Sequence, residues 1–310
     1  MPQPTLLARS LLLSLLATAS QSTFAADTPP AATVAPCKST VTGDLRLHTL
    51  RSAIFGNERT IRVLLPPGYD DKANAQRRYP VLYLLDGQNV FDACLSDVSH
   101  HEWGADEISQ RLSAAGQLPP LIVVGVDHAG VKRAHEYLPY KDFVGNPDMA
   151  DPAGKRFPDF LAHEVMPLVN GNYRTLIGAP NTGIGGSSYG GVATLYALLA
   201  RPNDFGYGLI ESPTLWVGMG QLVRDTQPLA ALPFRVFVGF GGKEAEDPVV
   251  SGKLISFVYQ LEANLRAAGY DDSNLRVVID PDAQDTEAAW EKRLPGALTF
   301  LFGDWKAPPP

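Results

Sequence analysis

Almost unbroken apolar segments, each bounded by Gly, Pro or Asp, recur along the chain. They lie at 81–87, 121–127, 207–212, 234–240 and 275–280, with a short glycine-rich segment, TGIGG, just before Ser187. Segments that are apolar on both faces are typical of strands inside a parallel sheet. The pattern therefore predicts a sheet whose strands are covered on both sides.

Two segments near the start alternate between apolar and polar residues instead. They read LRLHTL from Leu45 and RTIRVLLPP from Arg59, and the turn dipeptide Gly56-Asn57 lies between them. Alternation indicates strands with one exposed face, and the turn between them predicts an antiparallel pair.

Helical periodicity fills the intervals between the later strands, at 104–115, 155–169, 190–200, 252–268 and 287–302. Strands that alternate with helices need right-handed crossovers. This predicts an α/β fold, with a doubly wound, mostly parallel sheet and helices on both faces, in a single domain. In such sheets the chemistry lies beyond the carboxyl ends of the strands.

The first residues have the order of a secretory signal peptide. Arg9 is followed by the apolar run LLLSLLATA and then by the small residues of STFAAD. We expect cleavage after Ala25 and a periplasmic or secreted protein. A membrane anchor is the alternative, but the run is short for a bilayer, so we expect no stable membrane span after cleavage. The predicted organisation is a signal peptide at 1–25, an arm at 26–43, one domain at 44–305 and a disordered tail at 306–310.

Composition and charge limit the classes of binding partner that the sequence predicts. The chain has 310 residues, 45% of them hydrophobic, and a formal net charge of −7 that is spread without runs of one sign. This argues against nucleic acid or an anionic membrane as a partner. No metal-binding or nucleotide-phosphate motif occurs, so we expect no metal and no cofactor. The two cysteines, Cys37 and Cys94, predict a disulfide in an exported chain, with two buried thiols as the alternative.

The segment GGSSYGG contains a G-x-S-x-G motif with Ser188 at its centre. In this motif a serine sits on a sharp turn between a strand and a helix, and the predicted elements supply that context. Ser188 is therefore the candidate nucleophile. The backbone N–H of Tyr189 and one from the loop DGQNVFD, most simply that of Gln88, are the candidate oxyanion-hole donors; a plain polar turn is the alternative for that loop.

The remaining members of a catalytic triad are harder to assign. The loop GFGGKEAED offers Glu244 as the acid that orients a base, and Glu211 is the alternative. In hydrolases of this type the histidine follows the serine, yet every histidine of this chain precedes Ser188. His128, at the end of a predicted strand, is the only histidine on the expected edge of the sheet.

Several segments together resemble the putative-esterase family of α/β hydrolases, which includes ferric-enterobactin esterases, esterase D-like enzymes and mycolyltransferases. They are RTIRVLLPPGYD, YPVLYLLDGQNVFD, EWGADEISQRL, LPPLIVVGVDHAGVKRAHEYLPY, GGSSYGGVATLYALLARPNDFG, ESPTLW and AAWEKRLPGALTFLF. The resemblance runs from about Leu45 to Phe302. It implies the α/β-hydrolase fold and a serine esterase with Ser188 as nucleophile, Glu244 as acid and a histidine just before the AAWEKRL segment.

The chain departs from the family at that histidine. Residues 283–290 read AQDTEAAW, and Asp285 stands where the resemblance implies the base. An aspartate is shorter than a histidine, so we expect a water between Asp285 and Ser188. It is also a weaker base, with a reference pKa of ~3.9 against ~6.5. Proximity to Glu244 would raise the pKa of one of the two carboxyls.

Three functions remain open from the sequence. The first is an exported esterase that acts on a small-molecule ester by acyl transfer through Ser188, with a rate reduced by the missing histidine. The second is a pseudo-esterase that binds a ligand in the same pocket without turnover. The third is an acyltransferase of the same fold, in which an alcohol replaces water. The sequence predicts no oligomeric state.

Overall fold

The structure, a computed structural model, describes residues 37–96, 100–142, 151–227 and 235–307. The predicted signal peptide, the arm up to residue 36 and the last three residues of the predicted tail lie outside the described residues. Residues from Lys38 onward form one compact unit.

Eight strands form one sheet in the order β1-β2-β4-β3-β5-β6-β7-β8. The strands are β1 (Asp44–Arg51), β2 (Glu58–Leu65), β3 (Val81–Leu85), β4 (Ile122–Val126), β5 (Thr182–Ser187), β6 (Tyr207–Glu211), β7 (Arg235–Gly241) and β8 (Leu275–Asp280). Strand β2 pairs antiparallel with β1 and β4, and the strands from β4 to β8 are parallel. The predicted α/β class, the antiparallel opening pair and the mostly parallel sheet are confirmed.

The helices lie between the strands as predicted. They are α1 (Ala105–Ala114), α2 (Arg133–Tyr137), α3 (Phe157–Phe160), α4 (Met166–Asn172), α5 (Tyr189–Ala200), α6 (Val217–Asp225), α7 (Pro248–Ala267) and α8 (Glu287–Phe302). A π-helical turn, Leu161–Val165, joins α3 to α4. Helices α2 and α6 are short and have no counterpart among the predicted ones. In the described part of the chain, no helix combines the length and apolar character that a bilayer span requires.

Two apolar cores lie on the two faces of the sheet. Val81, Tyr83 and Leu85 of β3 belong to one core, whereas Leu82 and Leu84 of the same strand belong to the other. This alternation shows why the central strands read as continuous apolar segments. The prediction of burial on both faces is wrong for β8, where the residues after Leu275 are half-buried or exposed. Strand β8 is the edge strand of the sheet, so it has a neighbour on one side only.

The start of the described chain is attached to the loop that follows β3. Cys37 and Cys94 are both disulfide-bonded. The hydroxyl of Ser39 donates to the carboxylate of Asp92 at 2.7 Å, and the backbone N–H of Thr42 donates to Asp106 at 2.6 Å. A covalent bond and charge-assisted hydrogen bonds therefore hold a segment that contributes little to either core.

Candidate active site

Ser188 occupies the sharp turn between β5 and α5, with φ 53° and ψ −119°. Small residues make this turn possible. A β-carbon at Gly186 would lie 2.7 Å from the carbonyl oxygen of Gly190, and one at Gly190 would lie 2.9 Å from the carboxylate of Asp86. Because both distances are shorter than a side chain tolerates, glycine at these positions is what lets the strand and the helix meet at a positive φ.

The segment Glu211–Thr214, which begins with the last residue of β6, holds the turn from the other side. The backbone N–H of Ser188 donates to the carbonyl of Glu211 at 3.0 Å, and the N–H of Thr214 donates to the carbonyl of Ser188 at 3.3 Å. Gly191 lets α5 approach this segment, since a β-carbon there would lie 3.0 Å from Pro213. The hydroxyls of Ser188 and Thr214 are 3.3 Å apart.

Positive φ angles mark three strand ends at this edge of the sheet. Asp86 follows β3 with φ 56°, Ser188 follows β5 with φ 53°, and Ser212 follows β6 with φ 41°. Such conformations are uncommon outside glycine and cost on the order of 1–3 kcal/mol each. Backbone strain is therefore concentrated where the carboxyl ends of the central strands meet.

Asp285 lies in the loop between β8 and α8, and hydrogen bonding with the Ser188 hydroxyl is among the interactions that lower the pKa of its carboxyl. Asp285 is an exposed residue, but partial desolvation of its carboxyl by the surrounding loops raises its pKa to about 6, against the opposing charge of Arg133. This value is close to the ordinary ~6.5 of a histidine.

Glu244 lies in the loop after β7, near enough to Asp285 for their charges to interact. One of its oxygens accepts the backbone N–H of Gly241 at 2.7 Å, and its carboxyl also bonds to the hydroxyl of Ser212. That hydroxyl accepts the indole N–H of Trp290 at 3.1 Å, so it donates its own proton to Glu244. Burial raises the pKa of Glu244 to about 7, and the charge of Asp285 contributes to the rise.

The loops that carry Glu244 and Asp285 pack directly on each other. A β-carbon at Gly241 would lie 2.4 Å from the carbonyl oxygen of Ala283, and the N–H of Lys243 donates to that same carbonyl at 2.9 Å. The relative position of the two carboxyls is therefore fixed by backbone contacts.

Glu211, the alternative acid, is instead paired beneath the site with Arg293 of α8. The guanidinium Nε donates to the carboxylate at 2.8 Å, and the Glu211 side chain is fully buried. Burial raises the pKa of Glu211 to about 7, with the charge of Arg293 opposing the rise. This pair ties the end of β6 to the helix that follows the Asp285 loop.

The two candidate oxyanion-hole residues lie at the start of α5 and in the loop after β3. Tyr189 is the first residue of α5, where backbone N–H groups have no partner within the helix. Gln88 lies in the 3₁₀ turn Gly87–Asn89, and its side-chain oxygen accepts the N–H of His128 at 3.3 Å. The ring Nδ1 of His128 accepts a hydrogen bond from the backbone N–H of Gly130 at 2.9 Å, so this nitrogen stabilises the turn after β4.

Four residues near Ser188 were not identified from the sequence as site residues. Arg133 forms a two-point ion pair with Asp86, at 2.7 and 2.8 Å, and its guanidinium lies 5.4 Å from the ring centre of Tyr189. The other three are Ser212, Thr214 and Arg293. All four residues lie in segments that carry the family resemblance, so the sequence did mark the regions in which they occur. The sequence does not show which of these residues contact one another.

Among the described residues, no cluster of three His, Cys, Asp or Glu side chains has the arrangement needed to hold a metal ion. The arrangement that is present can do acid–base chemistry on a hydroxyl. A serine on a strained turn has the Asp285 carboxyl beside it, with a second carboxyl and two arginines around the pair.

The chain matches the family model described as putative esterase over residues 52–301. The uncharacterized protein YbbA of Bacillus subtilis is 23% identical over 259 residues, which cover 80% of this chain and 94% of that protein. An endo-1,4-beta-xylanase/feruloyl esterase of Xylanibacter ruminicola is 28% identical over 273 residues, which cover 84% of this chain and 31% of that longer protein.

Solved structures share the fold. An IroE-like serine hydrolase from Shewanella oneidensis superposes with a TM-score of 0.67 at 22% identity, over 86% of this chain and 82% of that one. The eight-stranded sheet, the elbow and the match over most of the chain agree with one another. The chain belongs to the putative-esterase family of α/β hydrolases, a family of carboxylic-ester hydrolases.

Proposed function

We propose that this protein hydrolyses a small-molecule carboxylic ester by acyl transfer through Ser188, with Asp285 as the base. The observation that carries the proposal is the strained strand-to-helix turn at Ser188, together with the hydrogen-bonding interaction between its hydroxyl and Asp285. A nucleophile and a base in hydrogen-bond contact are the minimum that such chemistry needs.

The reaction follows from these contacts. As the Ser188 oxygen attacks the ester carbonyl, its proton passes to the Asp285 carboxylate. The N–H groups of Tyr189 and Gln88 stabilise the negative oxygen of the tetrahedral intermediate. Protonated Asp285 then gives its proton to the leaving alcohol, and the acyl group remains on Ser188. A water attacks this acyl-enzyme, gives a proton to Asp285, and the acid is released when Ser188 regains its proton.

Partial desolvation makes an aspartate suitable for this role. In bulk water a carboxylate is a weak base at neutral pH, but the loss of water around the Asp285 carboxyl raises its pKa to about 6. General-base catalysis is most effective when the pKa of the base lies near the working pH. Asp285 therefore recovers much of the proton affinity that a histidine supplies, but it lacks the second ring nitrogen through which a histidine contacts an orienting acid. We expect a lower rate than a complete triad gives.

The relatives support an ester as substrate and leave its identity open. One similar protein is named as an endo-1,4-beta-xylanase/feruloyl esterase, and one similar structure is titled as a serine hydrolase. The disulfide-bonded state of Cys37 and Cys94 is compatible with an oxidising compartment, so we place the protein outside the cytoplasm, in the periplasm or secreted.

Labelling by a fluorophosphonate probe, measured beside hydrolysis of p-nitrophenyl acetate, tests the proposal. The wild-type protein should be labelled and turn over, and Ser188→Ala should abolish both. Ser256→Ala, which removes an exposed hydroxyl on α7, is the matched control and should change neither. If the wild type is neither labelled nor active, the pseudo-esterase function replaces this one. If an added alcohol accelerates consumption of the ester and a new ester of that alcohol accumulates, the acyltransferase function replaces hydrolysis as the better account.

A further inference from the structure

The Thr214 hydroxyl is the second polar side-chain group in contact with the nucleophile. Its oxygen lies 3.3 Å from the Ser188 oxygen, and the Thr214 side chain is mostly buried. The backbone N–H of Thr214 donates to the Ser188 carbonyl, and Pro213 packs against Gly191 of α5. Its position relative to Ser188 is therefore set by main-chain contacts.

The direction of the hydrogen bonds follows from what each group can donate. A serine hydroxyl has one proton and two lone pairs. An ionised carboxylate can only accept, so the bond between Asp285 and Ser188 uses the serine proton whenever Asp285 is charged. Ser188 then has no proton left for Thr214. In the bond between the two hydroxyls, Thr214 must be the donor.

We propose that Thr214 is a positioning residue. Its hydroxyl donates a hydrogen bond to the Ser188 oxygen and thereby keeps the Ser188 O–H directed at the Asp285 carboxylate. This inference rests on the proposed role of Ser188 as the nucleophile. It assigns a function to the segment Glu211–Thr214 that goes beyond the nucleophile, base and acid.

The donated bond is compatible with attack. One lone pair of the Ser188 oxygen accepts from Thr214, and the other stays available to form the bond to the ester carbonyl carbon. As the serine proton moves to Asp285, negative charge develops on the serine oxygen, and a hydrogen bond to a charged acceptor is stronger than one to a neutral acceptor. Thr214 therefore stabilises the attacking oxygen more than the resting hydroxyl, which is the condition for accelerating a step.

A pair of substitutions separates this role from simple packing. Thr214→Val keeps the shape and removes the hydroxyl, whereas Thr214→Ser keeps the hydroxyl and removes a methyl group. The rate of fluorophosphonate labelling at Ser188 should be measured from pH 4 to pH 9 for both variants. We expect Thr214→Val to lower the rate about tenfold, the effect of one hydrogen bond, and Thr214→Ser to stay within about threefold of the wild type.

The pH midpoint of labelling distinguishes a hydrogen-bonding role from packing, because a loss of packing alone does not change the pKa of Asp285. Without the Thr214 donor the serine hydroxyl is a weaker donor to the Asp285 carboxylate, so the charged form of Asp285 is less favoured. The midpoint of the labelling profile should therefore move to higher pH in Thr214→Val and stay in place in Thr214→Ser. An unchanged rate and midpoint in Thr214→Val would overturn the inference.

A double-mutant cycle keeps the inference separate from the proposed function. Thr214→Val and Ser188→Ala are combined, and the urea midpoints of the four proteins are compared at pH 8. Non-additive shifts are expected, because either substitution alone breaks the same bond. Additive shifts overturn the inference whatever the activity of the wild type. A different outcome is that the shifts are non-additive but the wild-type protein cannot be labelled. The hydroxyl–hydroxyl bond is then real, but the proposed function is wrong, and the positioning role is wrong with it.

Discussion

Ser188 and Asp285 interact through hydrogen bonding, although they come from loops on opposite sides of two intervening strands, β6 and β7. The Glu244 carboxyl is held by Ser212 and by the N–H of Gly241, and its pKa is raised by desolvation and by the charge of Asp285. The proton path of the proposed reaction is therefore a serine–aspartate pair.

The first prediction is that acylation of Ser188 increases with pH through a single midpoint near 6. Asp285 must be ionised to accept the serine proton, and its pKa is about 6, so the reactive form is lost as pH falls below that value. Fluorophosphonate labelling rates across the pH range measure this midpoint. Asp285→Asn should show a low rate with no midpoint there, because an amide cannot take the proton. An equal midpoint in Asp285→Asn would assign the titration to another group.

The second prediction is that Asp285→His increases ester hydrolysis by more than about 10²-fold. Removing a member of a serine-hydrolase triad costs roughly 10⁴- to 10⁶-fold in kcat, so even a partly restored triad gives a large gain. The imidazole would use one nitrogen for Ser188 and the other for Glu244. Hydrolysis of short and aromatic p-nitrophenyl esters measures the change.

Adding Ser188→Ala to Asp285→His is the control, and it should remove the whole gain. A folded Asp285→His variant that changes turnover by less than about tenfold would mean that the pocket differs from an active triad in more than one residue. The pseudo-esterase function would then be the better account of the wild type.

The sequence predicted the central strands and the elbow because their signals are local. The glycines around Ser188 and the apolar segments of β3 to β7 each act within a few residues. The contacts of Asp285, Thr214 and Arg293 depend on how close separate loops come, and no local pattern encodes that distance. The water expected between Asp285 and Ser188 stays a prediction for the same reason, because the sequence gives the side-chain length and not the backbone separation. Strand β8 was misjudged because an apolar segment does not specify whether a strand has one neighbour or two.

The third prediction concerns the buried pair Glu211 and Arg293. Arg293→Met should destabilise the protein by about 3–5 kcal/mol, because it leaves the Glu211 carboxyl buried without its counter-charge. Urea unfolding measures the loss. Lys292→Met is the matched control on the same helix, since Lys292 is exposed and pairs with Asp280 at the surface. Its effect should stay within about 0.5 kcal/mol. Equal effects of the two substitutions would contradict a special role for the buried pair.

The fourth prediction is that protein recovered from an oxidising compartment has no thiol that can be alkylated before reduction. Cys37 and Cys94 are both disulfide-bonded, and reduction should expose two alkylation sites in the mass spectrum. Reduction should also lower the free energy of unfolding by about 2–5 kcal/mol, as loss of a native disulfide does in small exported domains. Two alkylated cysteines in the unreduced protein would contradict the prediction.

The positive φ angles of Asp86, Ser188 and Ser212 have a consequence for laboratory evolution. At Asp86 and Ser212 the side chains are held by the ion pair with Arg133 and by the hydrogen bond from Trp290, so exchange for glycine would lose more than the relieved strain returns. Ser188 has no such buried pair, so a screen that selects only for heat resistance will enrich Ser188→Gly. Variants improved in this way will tolerate higher temperatures and lose the nucleophile, so libraries built on this scaffold should hold the Ser188 codon fixed.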